Sequence, residues 1–322
     1  MKKRKTAELL PEILIKAGAY LSIAIIVFIF FFVFSKAFPT IRSSGVSLFT
    51  TGGFDQQIRD AFNKPKGYPD VAFGMLGLLW GTFASTVLAL VVATVLGIAA
   101  AIVIVEYAPR RVSAIFVGIV RLLASIPSIV FGLVGLVTVV PLVERLFVTT
   151  ERQIEYLGLF QMTGRGLLSS VVVLTFMIVP MIISLSIDAM RGVQKNYIEA
   201  GYAFGMRRFR VVMKIILPSA RSGIIASIIL AAGRGIGEAI AVSMVCGGVG
   251  YLPDLSMGFA TMLAPTLTLS SAIINKSEAM SVPAVQSALF ACGAVLLIFG
   301  TVMSVGSRII EHIIRKREGY DN

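Results

Sequence analysis

Arg234 and Glu238 stand four residues apart inside an otherwise apolar stretch, 223–246. On a helix that spacing puts both on one face. Charged groups within a membrane span are expensive and turn toward the bundle interior or a water-filled path. A guanidinium stays protonated, and its planar fork suits a tetrahedral oxyanion. The pair therefore reads as an anion contact, Arg234, with Glu238 holding it and offsetting its charge so that binding stays reversible. The alternative is an ion pair that only fixes helix packing. Arg121, shortly before Pro127, is the next candidate for the path, unless it snorkels to the membrane surface. Gly233 and Gly237 form a small-xxx-small pair that would let another helix approach closely.

A second constellation suits docking rather than chemistry. It runs Glu199-Ala200-Gly201-Tyr202-Ala203-Phe204-Gly205 and continues to Ile215 and Leu217-Pro218, within a polar, basic segment, 190–222. Asn196 followed by Glu199 reads as a capping box opening a short helix, 197–204. Gly205 is placed to end that helix in a left-handed turn. A second helix, 207–216, would put Phe209, Val212, Met213 and Ile216 on one face and Arg207, Arg208, Arg210 and Lys214 on the other, with Pro218 stopping it. Two short helices joined at a glycine make a knob that either docks a cytoplasmic partner or simply rests on lipid.

The elements that position these residues follow from composition. Hydrophobic residues make up 57% of the chain and charged residues 14%, where a soluble domain carries about a quarter charged. The mean hydropathy is +0.89. The expected fold is all-α, a polytopic membrane protein with six transmembrane helices, each of roughly 20 apolar residues. They are read at 17–34, 76–105, 114–141, 167–189, 223–246 and 285–309, with Pro127 and Pro141 kinking or ending the third. Residues 1–35 form a cytoplasmic N-terminus and first span, 36–72 an outer loop, 73–316 a five-helix body and 317–322 a tail. Segments 143–166 and 247–284 are the other outer loops. Within the latter, 257–274 is apolar enough to dip into the membrane or lie on it, but carries too many Ser and Thr to read as a span.

The net charge is +12, but its distribution argues against nucleic acid. Lys and Arg concentrate at Lys2, Lys3, Arg4, Lys5, Arg110, Arg111, Arg191–Lys214 and Arg308–Arg317, and fewer lie in the alternate segments. That bias places both termini in the cytoplasm, and the basic residues meet anionic lipid. The basic start followed by a long apolar run is read as an uncleaved first span rather than a signal peptide. His312 is the only histidine, and Cys246 and Cys292 lie in apolar stretches. No metal or cofactor constellation can be assembled from this inventory. No G-x-x-x-x-G-K-[ST] occurs, so the chain supplies no nucleotide site of its own. The chain is read as a non-enzyme whose energy comes from a partner.

Glu199-Ala200-Gly201-x3-Gly205-x9-Ile215-x-Leu217-Pro218 resembles the permease signature of binding-protein-dependent ABC importers, with Gly201 where that family more often has Ala. Tyr107-Ala108-Pro109-Arg110, Ile126-Pro127-Ser128-Ile129-Val130-Phe131-Gly132 and Gly233–Ala239 are similar to phosphate-uptake permeases of the PstC kind. The resemblance implies a MetI-like transmembrane domain whose knob sits in a cleft of a cytoplasmic ATPase. It also implies a homologous second permease (PstA-like), an ATPase dimer (PstB-like), an extracytoplasmic phosphate-binding protein (PstS-like) and location in a prokaryotic plasma membrane. Another oxyanion, such as sulfate or molybdate, or a non-transporting scaffold remain the other readings.

Overall fold

The computed structural model describes residues 2–63, 71–156, 158–250 and 252–317. The tail beyond 317 and the part of the first outer loop at 64–70 lie outside the described residues. So do the side chains of Lys2–Lys5 and His312. The helices are α1 Lys2–Ser44, α2 Ser47–Thr50, α3 Phe54–Asn63, α4 Leu76–Ile102, α5 Arg110–Ser125, α6 Ser128–Val134, α7 Val140–Phe147, α8 Thr150–Tyr156 and α9 Leu167–Arg191. They continue as α10 Lys195–Ala203, α11 Arg208–Val211, α12 Leu217–Ser219, α13 Arg221–Gly237, α14 Ile240–Val245, α15 Ala260–Leu263, α16 Leu269–Asn275 and α17 Pro283–Arg317. No β-strand occurs among the described residues. The protein is all-α.

Among the described residues, five helical stretches are long and apolar enough to cross a membrane: Leu14–Ser44, Leu76–Tyr107, Ser128–Phe147, Leu167–Arg191 and Pro283–Ile310. A sixth, Arg221–Gly237, is reached from Arg208–Ser219 through a 67° bend. With the bent pair counted as one span the total reaches the expected six, but several boundaries move. The first helix does not stop at 34. It runs to Ser44 and packs on α17, where Thr40 Oγ1 and Ser287 Oγ lie 2.9 Å apart and Phe32 meets Phe290 edge-on. The expected loop 36–72 is partly helical and folded down. Leu48, Phe54, Ile58, Val71 and Phe73 are buried in the same core as Leu267, Leu269 and Val285. This is the cap end of the bundle, and α10–α12 mark the knob end.

The expected third span, 114–141, is overturned. Ile126 and Pro127 are extended (ψ 131° and 139°), so α5 ends there and the crossing is 128–147. Proline disfavours a helical residue before it and offers no N–H. Arg191 Nη2 reaches Ser113 Oγ and Arg121 Nη2 reaches Asp188 Oδ1, both at 3.1 Å. Along α5 those contacts are about 12 Å apart, against about 4.5 Å along α9, at 1.5 Å per residue. α5 therefore crosses α9 obliquely at the knob end instead of running beside it. Pro141 does not end its helix. The π turn Gly135–Val139 precedes it, closed by Val140 N–H on Gly135 O. Two more π turns, Val103–Tyr107 and Val212–Ile216, likewise end one residue before an X-Pro pair, Ala108-Pro109 and Leu217-Pro218. The wider i→i+5 turn rearranges the carbonyls where a proline supplies no donor.

One packing device was legible but unread. Gly77, Gly81, Ser85, Ala89, Ala93, Gly97 and Ala101 recur every fourth residue of the α4 segment, and all are buried. Hydrophobic burial does not drive helices together within lipid, so close backbone approach must do so. A Cβ on Gly97 would lie 2.7 Å from Ile182 of α9, and one on Gly81 would lie 2.5 Å from the carbonyl of Leu267. Gly81→Ala is expected to cost about 1–3 kcal/mol, because a backbone carbonyl cannot step aside. Gly118→Ala, where a Cβ meets nothing within 4 Å, should be neutral or stabilising by up to about 1 kcal/mol. Thermal unfolding of the two purified variants in detergent checks the contrast.

Candidate functional site

Span five is not one helix. α13 stops at Gly237, Glu238 is extended (φ −70°, ψ 116°), and α14 starts at Ile240. Gly233, Gly235 and Gly237 weaken the helix by about 1 kcal/mol each relative to Ala. The break is then held from outside. Glu238 Oε1 accepts the Ala241 N–H at 3.0 Å, and the Glu238 carbonyl accepts the Ser270 hydroxyl at 2.7 Å. Glu238 is 8% exposed. Arg234 and Glu238 therefore do not share a helix face, and they form no ion pair with each other. The expectation that Glu238 holds Arg234 is corrected: its carboxylate caps the half-helix that follows.

Arg234 is partly buried and makes no ion pair or side-chain hydrogen bond among the described residues. It shares a stripe of α13 with Leu230 and Gly237, residues that the chain's own helices leave exposed. An uncompensated guanidinium on such a stripe leaves its five donors for an anion or for another subunit. The glycine expectation also changes. Gly233 and Gly237 have no neighbour within 4 Å of a built Cβ and line a narrow cleft against Leu296, Phe299 and Gly300 of α17. The close approach is made by Gly235, on which a Cβ would lie 2.9 Å from Thr86.

Beside the break lies a set of buried hydroxyls that sequence reading missed. Segment 260–272 is buried in protein among α4, α9, α14 and α17, so it is not a surface loop. Irregular backbone at membrane depth is tolerated where protein supplies the hydrogen bonds. Thr268 caps α16 reciprocally with Ser271, and Leu269 N–H donates to Thr82 Oγ1 at 2.9 Å. Thr86 Oγ1 and Thr266 Oγ1 are buried without a partner. The signal was the density of Ser and Thr in 261–271. Arg121 is not brought to this region. It lies on α5, more than half exposed, paired with Asp188 near the knob end of α9. An apolar groove of about 510 Å³, lined by Trp80, Phe83, Val87, Leu167 and Met262, contains none of the candidate residues.

The knob differs in detail from its expectation. α10 starts at Lys195 after Gln194, with no side-chain cap, so the Asn196–Glu199 capping box is absent. Its end is a Schellman turn: Met206 N–H reaches Gly201 O at 3.2 Å, Gly205 N–H reaches Tyr202 O at 2.9 Å, and Gly205 has φ +71°. Gly201 is buried against Ile215 and Val211. The next helix does not stop at Pro218 but passes through it to Ser219, since the π turn Val212–Ile216 precedes the proline. That turn also changes the buried face. Val211, Val212 and Ile216 are buried, whereas Phe209 and Met213 are exposed. Leu217 is partly buried, and Pro218, Glu199 and Ala200 are exposed. Phe204 is 86% exposed at the tip, and Tyr197, Tyr202, Phe209 and Met213 of the same knob are exposed as well. Exposed aromatic groups on one knob make it a candidate docking surface. Arg208 ties the knob back to the π turn that follows α4, its guanidinium 5.2 Å from the centre of the Tyr107 ring and 3.9 Å from Glu106.

The family model for the binding-protein-dependent transport system inner membrane component matches residues 93–316. The chain is 32% identical to the probable ABC transporter permease protein YqgH of Bacillus subtilis, over 83% of this chain and 80% of that protein. It is 30% identical to the phosphate transport system permease protein PstC 2 of Mycobacterium tuberculosis, over 91% and 88%. Among solved structures it resembles an inward-facing MetNI methionine ABC transporter, with a TM-score of 0.53 at 18% identity, covering 73% of this chain and 94% of that one. At that identity the likeness concerns the fold.

Proposed function

The chain belongs to the family of binding-protein-dependent transport system inner membrane components, and on that premise we propose that it is the permease subunit of an ATP-driven importer of inorganic phosphate. The observation that carries the substrate is Arg234, an uncompensated cation on the open stripe of a broken span, in a chain whose relatives include phosphate permeases along most of its length. A homologous PstA-like permease covers that stripe, and the two subunits enclose the anion path between them. Arg121 plays at most a secondary part at the knob end. A PstB-like ATPase dimer receives the knob, with Glu199, Ala200, Gly201, Gly205, Ile215, Leu217 and Pro218 setting its shape and the exposed aromatic groups making the contact. ATP hydrolysis belongs to that separate subunit. A PstS-like binding protein delivers phosphate at the cap end. Reconstituting the four components in liposomes tests the assignment: ATP- and binding-protein-dependent phosphate uptake, not competed by sulfate or molybdate, is expected. Uptake of one of those oxyanions instead of phosphate would overturn it.

This reading puts both termini in the cytoplasm of a prokaryote, since Lys and Arg favour that side. Ser277 and Ser219 are both exposed and lie at the cap and knob ends. A cysteine at Ser277 should react with a membrane-impermeant maleimide in intact cells, and one at Ser219 only after the membrane is opened. The reverse pattern would invert the topology.

A further inference from the structure

The N-terminal extension does more than anchor the chain. It lies outside the 93–316 family match, yet α2 and α3 pack into the core with the buried segment 260–272. Asp55, in the first turn of α3, carries the contact. Its Oδ2 accepts the Gly250 N–H at 2.6 Å, and Lys276 Nζ lies 2.6 Å from its Oδ1. No aligned hydrogen bond reaches Oδ1, so the second contact is one of charge. With side chains 24% and 20% exposed, this ion pair is more sheltered than Lys16–Glu12, Arg121–Asp188 and Arg208–Glu106, each of which has at least one partner more than half exposed. Lys276 is the C-cap of α16, where a cation also meets the last carbonyls. At the other end of α16, Leu269 N–H is held by Thr82, and Ser270 Oγ donates to the Glu238 carbonyl. Helix α16 is thus a short strut pinned at one end by Asp55 and at the other by the broken backbone of span five.

We infer that Asp55 and Lys276 are positioning residues for the anion path: they fix α16, and through Ser270 α16 fixes the Glu238 break in the shape that presents Arg234. The inference rests on the reading of that break as part of the path. Three variants separate it from simple folding. Asp55→Asn keeps an acceptor for Gly250 but removes the charge, Lys276→Gln removes the other charge, and Ser270→Ala cuts the strut at its far end. In the reconstituted complex each is expected to lower phosphate moved per ATP hydrolysed by about tenfold, the scale of leaving a sheltered polar or charged group without its partner. Lys276→Arg should restore the ratio.

The double variant Asp55→Asn/Lys276→Gln decides between roles. If the pair mattered only because a sheltered charge needs its partner, removing both charges would restore transport. The positioning role predicts that the double variant regains thermal stability but keeps the low ratio. Recovery of transport in the double variant, or wild-type ratios in both Ser270→Ala and Lys276→Gln, would overturn the inference. If the unmodified complex imported no phosphate, the functional reading itself would fail; if it did and the variants did too, only the strut would.

Discussion

Replacing Arg234 with Gln is expected to abolish phosphate uptake, by about 10- to 100-fold or more, while the complex still assembles. The scale follows from losing a charge-assisted contact of about 1.5–3 kcal/mol. Assembly should survive because Arg234 makes no ion pair or side-chain hydrogen bond among the described residues, so its removal orphans no partner within the chain. Lys at the same position should be partly active, since a point charge replaces a planar fork. Glu238→Gln should be milder than Arg234→Gln. A Gln oxygen can still accept the Ala241 N–H that Glu238 accepts now, whereas Glu238→Ala loses that cap and should be worse than Gln. Uptake by liposomes containing each variant, normalised to complex content, gives the order. If Arg234→Gln imported phosphate at the unmodified rate, Arg234 would be a packing residue and the path would lie elsewhere.

The second large effect is expected at Gly205. Its φ of +71° is closed to proline, whose ring holds φ near −65°. Gly205→Pro also removes the N–H that reaches Tyr202 O. The Schellman turn must then reopen, and the exposed Phe204 would point elsewhere. Uptake should fall at least about 100-fold, the consequence of some 3 kcal/mol or more against the native turn, and the ATPase should no longer co-purify. Membrane insertion should be unchanged, since none of the spans includes Gly205. Gly205→Asn, a residue that tolerates the left-handed region, should be far milder. Glu199→Lys reverses an exposed charge on the same knob and should weaken ATPase binding without altering the fold. A Gly205→Pro complex with full binding-protein-stimulated ATP hydrolysis would show that the shape of the knob is irrelevant to coupling.

Hydropathy alone was enough for an all-α membrane protein with six crossings, because spanning lipid is a demand each segment meets by itself. The stop at Gly205 was also legible, since a glycine's tolerance of positive φ is a local property. The small residues repeating through α4 were equally available from Gly77 to Ala101. What the chain alone could not settle depends on partners distant in sequence. A periodic pattern made span five continuous and set Arg234 beside Glu238. The structure breaks the helix between them, because Ser270, some thirty residues away, holds the Glu238 carbonyl and Ala241 takes its carboxylate. The same holds for the second knob helix, where a π turn before Pro218 changed which side of the helix is buried. It also holds for α5, which lies obliquely across α9 because Ser113 and Arg121 find partners near one end of that helix. Hydropathy, glycine freedom and small-residue spacing are local quantities and can be read residue by residue. Whether a buried charge is capped, paired or left open is decided by packing, so only the tertiary structure could leave Arg234 uncompensated.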